Sequence, residues 1–415
     1  MNVKRGFSVP AHGLHKATMI FWVLSFVLLT SMTGAANAAT FKVLYSFAAG
    51  SDAIEPVSGV ILDSQGNLYG TAYNGGTSAQ GAVFKITSAG VETVLYSFTG
   101  GADGGHPRGS LLLDKQGNLY GTTEYGGLTG NCSQGGTGCG VVFKVSSAGQ
   151  ETVLHSFSPT DGDGYTPLSG LVADAQGNLY GTTFYGGTFN FGTVYKLTPR
   201  GAESVLYSFA GPAQQDGFAS YAGLVLDSQG NLYGAASGGG KNDTGIVFKV
   251  DKTGVETVLY SFGSELSGDG AAPTGGLIRD SAGNLYGTTA NGGLAGGFGG
   301  GCGIVFKLDT SGNETILYEF TGKNGDGFSP QATLLRDPKG NLYGTTAYGG
   351  TCSLCGTSFM LNTAGKEVLL HSFTNQTDGG FPDQSGLVAD KQGNGYGTTF
   401  EGGANGLGTV YKLSR

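Results

Sequence analysis

Gly117-Asn118-Leu119-Tyr120-Gly121-Thr122 is the stretch on which the rest of the chain is organised. The same hexad, intact or one or two substitutions away, starts at Gly66, Gly117, Gly177, Gly230, Gly283, Gly340 and Gly393. The starts lie 51, 60, 53, 53, 57 and 53 residues apart. A period of this size belongs to solenoids, propellers and arrays, in which no repeat buries its apolar face alone.

The repeat around Gly177 shows what each unit builds. Residues 170–174 read as a short strand, and Ala175-Gln176-Gly177 as a tight turn that uses glycine for a positive φ. Residues 178–183 make a second strand, 192–197 a third and 202–209 a fourth. A loop carrying Tyr185-Gly186-Gly187 joins the second and third. Four antiparallel strands with short connections are a propeller blade, and no helical period competes with that reading beyond the N-terminus.

The two ends decide closure. Residues 40–47 (Thr-Phe-Lys-Val-Leu-Tyr-Ser-Phe) match the fourth strand of the other repeats, and residues 408–413 match a third strand. The spacing therefore predicts an all-β, seven-bladed β-propeller of four-stranded antiparallel blades, closed by the N-terminal strand completing the seventh. Such closure removes the exposed sheet edge that an open array would have to protect.

Glycine makes up 80 of 415 residues, about a fifth, at fixed offsets where turns need it, and proline only 11. Charged residues are 13%, about half the usual share. A net charge of −8 gives no footprint for nucleic acid or an anionic membrane. Lys4, Arg5 and Lys16 precede the apolar run 19–29, and Ala36-Asn37-Ala38 is an A-x-A cleavage site. Residues 1–38 thus read as a signal peptide and 39–415 as one propeller domain, a monomer that is secreted, periplasmic or at the cell surface. The run is short for a membrane span, and Trp22 would leave with it.

The five cysteines fit an oxidising compartment. Cys132 and Cys139 share one loop, and Cys352 and Cys355 the equivalent loop of a later repeat, so both pairs read as local disulfides. Cys302 has no neighbouring cysteine and reads as a thiol outside the pairs. One C-x2-C without a matching second pair is weak support for zinc.

The hexad with its second threonine, the following Tyr-Gly-Gly, the Cys-Gly-x-Val-Phe-Lys entries at Cys139 and Cys302 and the Thr-Val-Leu-Tyr-Ser-Phe strand together resemble the Gloeo/Verruco ("GloVer") tandem repeat of secreted bacterial proteins. The resemblance covers the whole chain after the signal. It implies the fold and an extracellular address, in a version without an anchoring tail, and carries no activity with it.

Chemistry, if any, is expected on the face where the loops between blades and between second and third strands emerge. A second recurrence sits there: Asp52, Asp103, Asp163, Asp216, Asp269 and Asp326, each eleven residues before a turn aspartate, with Asp378 displaced by one. A proline often follows four residues later. These carboxylates read either as a ring for a hard cation such as Ca2+ or a polyhydroxyl ligand, or as Asx turns that cap their own loops. The series Asp63, Asp114, Asp174, Asp227, Asp280, Asp337 and Asp390 reads as hairpin-turn chemistry. Loop aromatics that break the repeat, Tyr73, Tyr125, Tyr185 and Tyr348, are the contact candidates.

Of the histidines after the signal, His155 and His371 replace a strand tyrosine and read as structural, which leaves His106 as the candidate base. No nucleophile elbow, zinc-protease or phosphate-loop motif is present. The expectation is a non-catalytic binding or scaffold module for an extracellular polymer or protein. The alternatives are a metal-dependent lyase or hydrolase, given a loose similarity to streptogramin-lyase-like propellers that use a metal and a histidine at the central face, and a purely structural surface module.

Overall fold

Every blade junction is filled by the same pair of aromatic rings. The last residue of each outer-strand motif (Phe47, Phe98, Phe157, Phe209, Phe262, Phe320, Phe373) meets the ring of the next blade's third strand edge-on. Those partners are Phe84, Phe143, Tyr195, Phe248, Phe306, Phe359 and Tyr411, with centroids 5.0–5.3 Å apart. All fourteen rings are at most 1% exposed. Edge-to-face contact adds roughly 0.5–1.5 kcal/mol per pair beyond the area each ring buries.

The architecture follows from seven such junctions. In this computed structural model, residues 39–127, 132, 138–160, 162–263, 268–294 and 300–414 are described. They form seven four-stranded antiparallel sheets. In the third blade these are Val172–Ala173, Leu179–Thr183, Thr193–Leu197 and Glu203–Ser208, counted from the channel outward. The seventh blade takes its outer strand from the N-terminus: Thr40–Ser46 pairs antiparallel with Thr409–Ser414, from Thr40 opposite Ser414 to Ser46 opposite Thr409. The predicted closure is therefore the observed one. The one helical turn among the described residues is a 3-10 turn at Pro212–Gln214. The signal-peptide reading, Trp22 included, falls on residues 1–38 and lies outside the described residues.

The hexad has a structural reason at nearly every position. Asp114 Oδ1 accepts the N–H groups of Gln116 and Asn118, while Oδ2 accepts from Asn118 Nδ2 and the Tyr120 hydroxyl at 2.7 and 3.0 Å. This closes the turn and pins the tyrosine in one motif, repeated at Asp63, Asp174, Asp227, Asp280, Asp337 and Asp390. Gly121 leaves room for the junction ring, since a Cβ there would lie 2.6 Å from Phe143 Cζ. The buried hydroxyl of Thr122 donates to the Ser169 carbonyl, in the segment leading into the next blade's inner strand. The equivalent bond from Thr398 to Ser58 joins the seventh blade to the first. Bridges join Cys132 to Cys139 and Cys352 to Cys355, and the buried Cys302 takes part in neither.

Gly121→Ala should therefore destabilise the protein by about 1–3 kcal/mol through overpacking against Phe143. Gly223→Ala, whose added carbon meets nothing closer than 3.8 Å, should be close to neutral. Denaturant midpoints of the two variants measure this, and equal midpoints would refute the packing argument.

Candidate functional site at the channel mouth

On the loop-rich face each blade departs from the plain four-stranded pattern in the same way. The loop entering the blade pairs with the loop after the second strand, as two-residue ribbons such as Gly164–Tyr165 with Tyr185–Gly186, or as single bridges at Gly105–Tyr125 and Gly380–Glu401. Directly after this pairing, one non-glycine residue per blade adopts a positive φ of 53–58°: Glu55, His106, Thr166, Ala219, Ala272, Ser329 and Phe381. Such a conformation costs on the order of 1–3 kcal/mol and persists only where its surroundings over-determine it. Here they do. The His106 N–H donates to the Gln80 carbonyl of the preceding blade, and its own carbonyl accepts the Glu124 N–H. The carbonyl half of this staple recurs in all seven blades.

In six blades a proline follows, at Pro56, Pro107, Pro167, Pro273, Pro330 and Pro382, and fixes the next turn of the chain. The residue after it is then delivered to the axis. Arg108, Leu168, Tyr221, Thr274 and Gln331 line a central channel of about 330 Å³. Val57 and Asp383 hold the same place in the other two blades. Seven different residues thus occupy one position of a scaffold that is otherwise nearly periodic.

Three aromatic clusters stand around this ring. The His106 ring lies 4.6 Å from Tyr73 and 5.8 Å from Tyr125, and its Nδ1 donates to the Tyr73 carbonyl at 3.0 Å. Arg108 sits over the Tyr73 ring at 5.6 Å and pairs with the buried Glu124 at 3.6 Å. Burial lifts the Tyr73 hydroxyl to about 12, with the Glu124 charge adding to it. Further round, Phe184 meets Tyr185 at 4.5 Å and Tyr221 at 4.9 Å, and Tyr185 stacks on Tyr165. In the third cluster Tyr348 stacks on Phe328 at 5.1 Å and meets Phe381 at 5.0 Å. Burial raises the Asp383 carboxyl, opposed by Arg108. The second threonine of the repeat holds these loops in place: Thr123, Thr183 and Thr346 donate to the carbonyls of Tyr125, Tyr185 and Tyr348.

The four loop tyrosines and His106 therefore gather at one mouth. Arg108, Glu124, Tyr221 and Asp383 join them there without having been singled out in the sequence. The signal was available for three of them, because Arg108, Tyr221 and Asp383 are the non-repeated residues that follow the repeated proline position. Chemically the mouth offers flat apolar faces, one guanidinium and several carboxyl groups, a set suited to gripping a polar ligand with apolar faces.

The recurrent aspartates form a second ring, at the outer radius. Asp52, Asp103, Asp216 and Asp269 accept from Tyr45, Tyr96, Tyr207 and Tyr260 at 2.7–2.9 Å. Each also accepts a loop N–H, from Ala48, Thr99, Ala210 and Gly263, and Asp216 and Asp269 accept those of Gly217 and Gly270 as well. Asp326 accepts from the N–H and hydroxyl of Thr321, and Asp163 and Asp378 face His155 and His371 at 3.1 and 3.0 Å. At six junctions the first glutamate of the next blade's outer strand lies close by. Burial first, and the aspartate charge second, push Glu92, Glu151, Glu203, Glu256, Glu314 and Glu367 up to about 7. Each of these six junctions thus offers two carboxyl groups, of which the aspartate is already engaged by the loop it caps. A Ca2+ shell of six to eight oxygens would need much more.

These shifts give a pH dependence with a definite sign. The folded glutamic acids keep protons that the unfolded chain has released above its ordinary 4.5. The stability they add is complete below that value and is lost as pH rises through about 7. The turn aspartates act in the opposite sense. Burial alone would raise Asp63, but bonds from Asn67, Tyr69 and Gln65 hold it below its usual 3.8, so its contribution is lost only in stronger acid. The melting temperature should therefore peak between about pH 4 and 5 and fall toward pH 8. Glu151→Gln combined with Glu256→Gln should flatten that fall, and a parent profile already flat from pH 5 to 8 would contradict it.

Comparison with known proteins agrees with this architecture. The extracellular domain of a hybrid two-component system protein from B. thetaiotaomicron superposes with a TM-score of 0.55 at 13% identity, over 91% of this chain and 41% of that one. The chain thus spans about two-fifths of that extracellular domain's length, and the likeness is one of fold. A gluconolactonase from Xanthomonas campestris matches with a TM-score of 0.45 at 15% identity, over 80% of this chain and 90% of its own, too distant to argue from. No curated protein matches by sequence. The Gloeobacter/Verrucomicrobia repeat matches residues 29–224, 128–326 and 221–415. The three overlapping matches run through every blade, and the chain belongs to the Gloeobacter/Verrucomicrobia repeat family.

Proposed function

We propose that the protein is an extracellular binding module that holds a carbohydrate polymer at its channel mouth without transforming it. The observation that carries this reading is the ring of unlike residues on a periodic scaffold, flanked by Tyr73, Tyr125, Tyr185 and Tyr348. Tyrosine faces pack against the C–H faces of sugar rings, and carboxyl and guanidinium groups take up their hydroxyls. Strained but stapled loops keep these groups in place before the ligand arrives, which lowers the ordering cost of binding. The commitment of His106 Nδ1 to a backbone carbonyl favours positioning over proton transfer. An oxidising compartment is supported by the two disulfides. No helix among the described residues is long and apolar enough to cross a membrane.

Affinity electrophoresis against soluble plant, algal and bacterial polysaccharides tests the reading. At least one polymer should retard the protein, and Tyr125→Ala and Tyr348→Ala should each weaken retention about tenfold. Leu369→Ser, on an exposed outer-strand position, should leave it unchanged. Absence of retardation by every polymer, or equal retention by the tyrosine variants, would defeat the proposal.

A further inference from the structure

One junction of the outer ring differs chemically from the others. Between the second and third blades the outer-strand tyrosine is replaced by His155, whose Nε2 lies 3.1 Å from Asp163 Oδ2. Glu203, from the outer strand of the third blade, completes the group. One donor atom from each of the three residues lies within 4.8 Å of the others. Asp163 is held by the N–H groups of Ser158 and Gly164 at 3.1 and 2.7 Å. Glu203 Oε1 is buried and accepts no hydrogen bond among the described residues, a state it shares with Glu92, Glu151, Glu256 and Glu314, so what sets this junction apart is the imidazole. The group opens on a cleft of about 750 Å³.

We infer that His155, Asp163 and Glu203 form a binding site for a first-row divalent metal ion, Zn2+ foremost. Imidazole and carboxylate are its usual nitrogen and oxygen donors, at about 2.0–2.2 Å. Three such donors in tetrahedral array stand about 3.3–3.6 Å apart, so a small inward shift of Glu203 seats the ion. The open cleft leaves the fourth position to water. Two carboxylates balance the charge of the dication, and the otherwise unbonded Glu203 oxygen gains a partner. Binding requires the Nε2 lone pair, so the imidazole proton resides on Nδ1 in the loaded form.

The other junctions act as internal controls. Tyr45, Tyr96, Tyr207, Tyr260 and Tyr318 stand where His155 stands, and a phenol that keeps its proton is a poor ligand. At the seam His371 faces Asp378, but the place of the glutamate is taken by Phe41, whose ring stacks on the imidazole at 3.7 Å. Among the described residues the nitrogen-and-two-carboxylate set therefore occurs once.

Calorimetric titration of the EDTA-stripped, dialysed full chain with ZnCl2 tests this. One equivalent should bind, and the melting temperature should rise with it. His155→Tyr installs the residue present at five sister positions and so should fold like the parent, while losing that equivalent. Glu203→Gln should weaken it by at least about tenfold. His371→Tyr should leave it intact. The site is overturned if no equivalent binds, if His155→Tyr binds as the parent does, or if His371→Tyr abolishes binding equally.

Discussion

The contact on which the structure depends is the edge-to-face ring pair at each blade junction. A blade alone is a small twisted sheet with two apolar faces, and nothing in its own strands covers them. The pair Phe98–Phe143 and its six counterparts supply that cover, and truncating one such ring costs roughly 3–5 kcal/mol in a packed core. The rest of the repeat serves this contact. The second glycine of the hexad clears the space for the ring, the threonine ties the second strand to the segment entering the next blade, and the turn aspartate fixes the strand that carries both. Seven junctions then close only if the last blade finds a first strand to pair with, which residues 40–46 provide.

A scaffold held by identical junctions can vary elsewhere at little cost. The loops at the mouth show how this is done. Each carries one residue in a disfavoured backbone conformation whose carbonyl is held by the loop after the second strand, and in six of the seven the N–H is held by the preceding blade as well. The strain sets direction: the chain turns sharply, and the side chain two residues on is aimed at the axis. Because the device is the same in every blade, the aimed residue need not be. Arginine, tyrosine, glutamine and aspartate can all stand there, which is how a monotonous fold acquires an asymmetric mouth.

Much of this was legible in the sequence, and the parts that were not share a cause. Period, strand count and seam follow from local pattern, since turns and alternation are written in consecutive residues. The loop tyrosines were legible as departures from the repeat. Arg108 and Asp383 were not, although they occupy one repeated position, because only the closed ring brings residues 108 and 383 within electrostatic reach of each other. Glu203 was hidden for the same reason. It opens an ordinary outer strand, and its nearness to Asp163 exists only across a blade junction. His155 was readable as a substituted tyrosine, but its neighbours 8 and 48 residues away were needed to show what the substitution makes possible.

The two rings also differ in what repetition means at each. At the mouth, function is sought where the repeat breaks at a position that the scaffold aims. At the rim, six junctions keep a carboxyl pair, so its default role belongs to the blade: the aspartate caps a loop and the glutamate holds a proton. A function can arise there only where a third group changes the pair from a proton holder into an ion holder. Replacing one donor phenol by an imidazole is such a change, and it needs no movement of the backbone. The seam reaches the same histidine and loses the glutamate to Phe41, trading a ligand for a stacked ring at the place where the chain ends must be held together. Closure and chemistry thus compete for the same position, and the junction between the second and third blades is where the chain did not have to choose closure.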